Sequence, residues 1–208
     1  MRSRTGIASL ALAAALSLVM AGPTSAGTFT VGPLNVISGP SPFADCSIAG
    51  QTGTNFLNSE VEPWVEVNPT DPNNVIAVWQ QDRWSNGGAR GLVTAATHDG
   101  GATWSTTFPH FSTCSGGTAE NGGNYERASD PWVSFAPNGD AYQISLSVNL
   151  FQDPATAILV SKSVDGGDTW TEPITLVRDP PGVAPFLFND KESITADPTD
   201  PDFVYAIW

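Results

Sequence analysis

Charge is scarce in this chain, so where it falls carries information. Asp, Glu, Lys and Arg make up 14% of its 208 residues. Beyond residue 26 only six basic residues remain, and four of them, Arg83, Arg90, Arg127 and Lys191, are expected on one face of the fold with the carboxylates Glu60, Glu62, Asp82, Asp130, Asp190 and Glu192. An Arg fork grips a carboxylate in bidentate fashion, while Asp and Glu accept hydroxyl hydrogens. Trp84 and Tyr125 add flat faces on which a sugar ring can rest. The set Glu62, Arg83, Trp84, Arg127, Asp130, Asp190, Lys191 and Glu192 therefore reads as a binding site for an anionic or hydroxyl-rich ligand. Asp82 and Asp130 are its candidates for acid or base chemistry. The same residues would also serve as ion pairs joining one structural unit to the next, because such networks imitate sites.

Whether these groups meet depends on the elements that carry them. From Glu62 onward, short β-rich runs alternate with turn signals, the pattern of an all-β fold built from hairpins. Strands are expected over 63–67, 75–80, 92–97 and 103–108, then over 131–136, 141–148, 157–163 and 169–177, and finally over 193–196 and 203–208. Thr97-His98-Asp99-Gly100-Gly101-Ala102-Thr103-Trp104 and Ser163-Val164-Asp165-Gly166-Gly167-Asp168-Thr169-Trp170 precede the last strand of the first and second sets, their Asp residues 66 positions apart. In each, the Asp closes a local turn, Gly supplies positive φ and Trp provides an apolar plate. A repeat of this size implies stacked supersecondary units.

Four strands per unit suit the antiparallel blades of a β-propeller. The blades would span 62–128 and 129–189, with an incomplete one over 190–208, after an N-terminal segment at 27–61. About two and a half blades cannot close a ring, so a longer parent is expected; six such units would need roughly 400 residues. Strand parity places the Asp turns and the turns around Pro69, Pro137 and Pro198 at one end of each blade. The charged groups fall at the other end. There too runs the long connection 109–128, either a binding loop or a disordered one.

Residues 1–26 read as a signal peptide: Arg2 and Arg4, an apolar stretch from Ile7 to Met20, then small residues with cleavage after Ala26. The apolar run is shorter than the ~20 residues of a spanning helix, so a secreted protein with no membrane span is expected. Cys46 and Cys114 then pair as a disulfide. The remaining chain carries a formal charge of -15, which argues against nucleic acid. His98 and His110 are the only histidines, and neither their context nor the Asp197-Asp200-Asp202 run supports a metal site. No phosphate-cradling loop occurs, and no cofactor is expected.

The Ser/Thr-x-Asp-x-Gly-x-Thr-Trp pattern resembles the Asp box, or bacterial neuraminidase repeat, of sialidases and related propellers. The matching positions are Thr97, Asp99, Gly101, Thr103 and Trp104, then Ser163, Asp165, Gly167, Thr169 and Trp170. The resemblance implies a six-bladed propeller in which the box is a structural turn remote from catalysis. It also implies glycan as partner, either as the substrate of an exo-glycosidase of sialidase type or as the ligand of a non-catalytic extracellular propeller. Arg83 resembles the arginine that ends the second strand of the first blade in that family. Two family features are missing: no Phe/Tyr-Arg-Ile-Pro tetrapeptide occurs, and Ser85-Asn86-Gly87-Gly88-Ala89 stands where the acid/base Asp is usual.

Overall fold

Apolar residues on both faces of a strand demand a neighbour on each side, and this chain meets the demand by layering antiparallel sheets. The computed structural model describes residues 30–151, 153–180 and 187–208; the expected signal peptide lies outside them. The chain divides into two units, 1–35 and 36–208. In the first, the described residues 30–35 are exposed and without regular structure.

In the second unit, β1 (Glu60–Val67), β2 (Val75–Arg83), β3 (Ala89–Thr97) and β4 (Ser105–Thr107) form one antiparallel meander. A second follows with β5 (Arg127–Phe135), β6 (Ala141–Asn149), β7 (Ala155–Ser163) and β8 (Ile174–Asp179), and then a hairpin of β9 (Ser193–Ala196) and β10 (Val204–Ile207). The meanders touch edgewise through one pairing, Ala89 with Ala128. The described residues contain no α-helix, only a short 3-10 turn over Thr113–Ser115, so the protein is all-β.

The cores lie between layers. Ile76, Val78 and Ala96 of the first meander pack on Val133, Phe135 and Ala141 of the second, with Trp64 and Trp170 at the margin. Ile144, Leu146, Val148 and Ile158 meet Ile194 of the hairpin. On the outer side of the first meander, Phe43 covers Ala77, Trp79, Val93 and Ala95. Strands β2 and β6 are consequently buried on both faces, and their polar residues must bond inside. Thr94 Oγ1 donates to Gln143 Oε1 at 2.7 Å across the first layer boundary.

The two Asp turns share one construction. Asp99 accepts from the Thr103 amide at 2.8 Å and from Thr103 Oγ1 at 2.6 Å, while Thr97 Oγ1 accepts from the Gly101 amide at 3.0 Å. Asp165 accepts from the Thr169 amide and hydroxyl, and Ser163 Oγ accepts from the Gly167 amide. Gly101 and Gly167 sit at φ 93° and 103°, as the turn requires. The hydrogen bonds to Thr103 and Thr97 hold the Asp99 carboxyl down at about 2. Asn74 Nδ2 donates to Thr97 O at 3.0 Å and to Gly166 O at 2.9 Å, so both Asp turns gather at one end with the Asn68 turn.

Several strand limits differ from expectation. The last strands are short: β4 covers three residues instead of 103–108, and β8 starts at Ile174 instead of Thr169. The turn itself absorbs Thr103 and Thr169, and Pro173 has no amide with which to extend β8. Conversely, β1 and β5 begin earlier than Pro63 and Pro131, because each strand continues through a bulge. Nor is the 109–128 connection disordered. Ser112 and Ser115 form a capping box around the 3-10 turn, and Cys114 bonds to Cys46.

Among the described residues no helix is long and apolar enough to cross a membrane. The disulfide spans a sequence separation of 68 residues and fastens the 36–59 segment to the long connection. Replacing both cysteines by Ser should lower stability by about 2–5 kcal/mol through the freed chain entropy of the unfolded state. Urea unfolding should show an earlier midpoint; an unchanged midpoint would show that packing of Phe43 alone holds the segment.

Candidate functional site

At the end opposite the Asp turns, one local device recurs. Glu62-Pro63-Trp64-Val65 and Asp130-Pro131-Trp132-Val133 occupy matching places in β1 and β5, 68 residues apart. Register slips between Val61 and Trp64 and again between Ser129 and Trp132, marking a β-bulge in each strand. Glu62 and Asp130 lie within these bulges at φ 54° and 51°, and Lys191, just before β9, adopts φ 57°. Non-glycine residues rarely take such angles, and they gather at functional sites. Proline supports the bulge, since it donates no ladder hydrogen bond and keeps the preceding residue out of the right-handed helical region.

The bulges bring three side chains together. Lys191 Nζ lies 3.1 Å from Asp130 Oδ2 and 4.0 Å from Glu62 Oε1. Gln80, fully buried on β2, donates its amide hydrogens to Glu62 Oε2 and, at 3.3 Å, to Asp130 Oδ1. Trp64 and Trp132 stack behind them with ring centroids 3.5 Å apart, and Trp64 Nε1 donates to Val133 O at 3.1 Å. Glu62, Trp64, Asp130, Trp132, Lys191 and Glu192 line a cavity of about 440 Å³. A second cavity of about 320 Å³ shares Glu62, Asp130 and Lys191 and is walled by Arg83, Arg127, Asp190 and the apolar Leu146, Val148, Leu150 and Phe188.

Carboxyls in mutual contact cannot all ionise freely. Hydrogen bonding to Asp130, then burial, then the Asp130 charge raise Glu62 to about 7. Burial acts against ionisation of Asp130 too, but hydrogen bonds from Glu62, Ser129 and Lys191 prevail and keep its carboxyl below the ordinary range. Below about pH 7 the pair thus holds one proton, with the charge on Asp130 and the proton on Glu62. Glu192 is raised to about 8 by burial, which its own amide and that of Leu146 offset only in part. Neither of its carboxyl oxygens makes a well-formed hydrogen bond.

Of the residues singled out in the sequence, Glu62, Arg83, Asp130, Asp190, Lys191 and Glu192 border one or both cavities. Others serve the framework. Asp82 is fully buried, accepting from Ser41 Oγ at 2.6 Å and the Asn58 amide at 2.8 Å and pairing with Arg90 at 3.3 Å. Arg90 also donates to the carbonyls of Phe43 and Ala44. Arg127 touches the second cavity, but its guanidinium is engaged by Gln51, Thr52, Asn86 and Gly87. It also lies 4.6 Å above the Trp84 ring, which removes that ring as a sugar platform. Tyr125 is buried in a core with Leu92 and Phe111, so it offers no platform either. Trp64, Trp132 and Gln80 went unread as site residues, although the repeated acid-Pro-Trp triplet is plain in the sequence. Among the described residues no cluster of His, Cys, Asp and Glu could hold a metal ion.

Compared with models of known protein families and with curated proteins, the chain matches none.

Two outcomes follow from the geometry. Carboxyls with raised values bind more protons folded than unfolded, so Glu62 and Glu192 should make stability fall as pH rises from about 4.5 toward 8. Glu192→Gln should flatten that slope in urea unfolding and stabilise the protein at pH 8 by on the order of 2 kcal/mol. An unchanged slope would show that Glu192 is solvated. Separately, Arg127→Ala should cost about 3 kcal/mol by stranding buried acceptors, whereas Arg83→Ala, which loses one bond to Gly88 O, should cost about 1 kcal/mol. Equal losses in thermal unfolding would contradict the division between framework and site.

Proposed function

We propose that this protein is a secreted β-propeller of the Asp-box, sialidase-like kind that binds glycans at the end opposite its Asp turns. The two meanders and the β9–β10 hairpin correspond to successive blades, each laid face to face on the next, with β1, β5 and β9 innermost. The cysteine pair and the acidic charge fit an extracellular setting. The observation that carries the reading is the convergence of Glu62, Asp130 and Lys191 from three successive units on adjoining cavities, one of them backed by indole rings. Carboxylates and an ammonium supply acceptors and donors for vicinal hydroxyls, and Trp supplies apolar surface for a ring.

Binding is favoured over hydrolysis by the carboxyl spacing. Glu62 and Asp130 lie close enough to accept from the same Gln80 amide nitrogen, whereas glycosidases hold their pair about 5 Å or more apart to accommodate the sugar. Glu192 favours hydrolysis as the second reading, since an acid protonated at neutral pH beside a cavity is suited to leaving-group protonation.

A panel of immobilised glycans probed with the full chain should show retention that falls at least about tenfold with Asp130→Asn and stays level with Asp99→Asn. Retention without release of sugar supports the binder, and release abolished by Glu192→Gln supports the hydrolase. If no glycan is retained or cleaved, the glycan reading fails.

A further inference from the structure

We propose that the cavity bordered by Trp64, Trp132 and Glu192 selects a sugar bearing a protonated amine over a neutral or an anionic one. This inference rests on the glycan reading and specifies its ligand. Three carboxyl residues line the cavity, Glu62, Asp130 and Glu192, against one cation, Lys191; Asp130 carries the charge, and an arriving ammonium draws off the protons that Glu62 and Glu192 hold near neutral pH. That cation enters from the rim: its side chain is 74% exposed, yet its ammonium reaches Asp130 at 3.1 Å and Glu62 at 4.0 Å. Lys191 thus acts as a tethered example of the group the carboxyls attract. Its flexible chain holds it there only loosely, since an ion pair this exposed contributes little.

Glu192 supplies independent support. Its residue is 4% exposed and neither carboxyl oxygen has a well-formed partner, an arrangement that is costly until a donor arrives. An ammonium brings three donors and a compensating charge, and the aromatic wall tolerates a cation. A neutral hydroxyl satisfies the geometry without the charge. In this cavity a sugar carboxylate would meet three acids, and no arginine among the described residues lines it.

The test is calorimetric titration of the full chain at about pH 7, where an amine stays mostly protonated and Glu62 is already partly ionised, with oligomers of glucosamine, N-acetylglucosamine and glucose. The amine form should bind about tenfold more tightly than the acetylated form, and the preference should shrink with Asp130→Asn or Glu192→Gln. Lys191→Met should tighten amine binding severalfold by removing the internal competitor, an effect that a purely structural lysine would not produce; being exposed, this position leaves the fold intact. Equal or tighter binding of the acetylated or glucose oligomer overturns the amine preference and leaves the glycan reading standing. Weaker amine binding by Lys191→Met also overturns it. Absence of binding by all three oligomers overturns both.

Discussion

A side chain can be turned out of a strand only where the ladder is interrupted, and the acid-Pro-Trp bulge supplies that interruption twice. The extra residue lets Glu62 and Asp130 take left-handed backbone angles, while two positions later Trp64 and Trp132 return to the ladder and stack on each other. The stack is worth roughly 1 kcal/mol beyond its buried area. Its larger effect is geometric, because it fixes β1 against β5 at the level where their carboxyls must meet. Lose the stack, and the distances among Glu62, Asp130 and Lys191 are no longer defined by the fold.

The layers beyond the bulge are arranged to keep that contact rigid. Gln80 donates to both carboxyls from the buried strand β2, so a third element fixes the positions of the pair. Arg127 braces the start of β5 by bonding to the 51–52 segment and to the 86–87 turn. The disulfide anchors the same N-terminal segment from its other side. Site and framework therefore use similar residue types for opposite purposes: Asp82 and Arg127 are enclosed and engaged by the protein, whereas Glu62 and Lys191 are open to the cavities.

Much of this was legible in the residues. Alternating turn signals give an antiparallel all-β chain, the Asp turns locate the hairpins before β4 and β8, and Cys46 and Cys114 pair as expected. Local patterns suffice there, because a turn or a strand is decided within a few positions. The fate of an arginine is not. Arg127 and Arg83 look alike along the chain, yet the first meets acceptors from residues 51–52 and 86–87 and the second keeps an open side, a difference decided by contacts some 40 to 76 positions distant. Tyr125 and Trp84 escaped for the same reason, their rings being claimed by nonlocal packing. The bulges were readable, but Pro63 and Pro131 suggest strand starts when taken singly; only the alignment of the two triplets shows a strand passing through.

The bond from Thr94 to Gln143 has a wider meaning for the layered sheets. Apolar surfaces alone are indifferent to sliding, since one methyl group packs about as well on the next. A hydroxyl and an amide facing each other across a dry boundary are not, because displacement by one residue pair would leave both unpaired where water cannot reach. With the bonds from Trp64 to Val133 and from Asn74 to Gly166, the Thr94 bond acts as a registration pin, converting a greasy interface into one with a unique alignment, and so transmits the position of one sheet to the next.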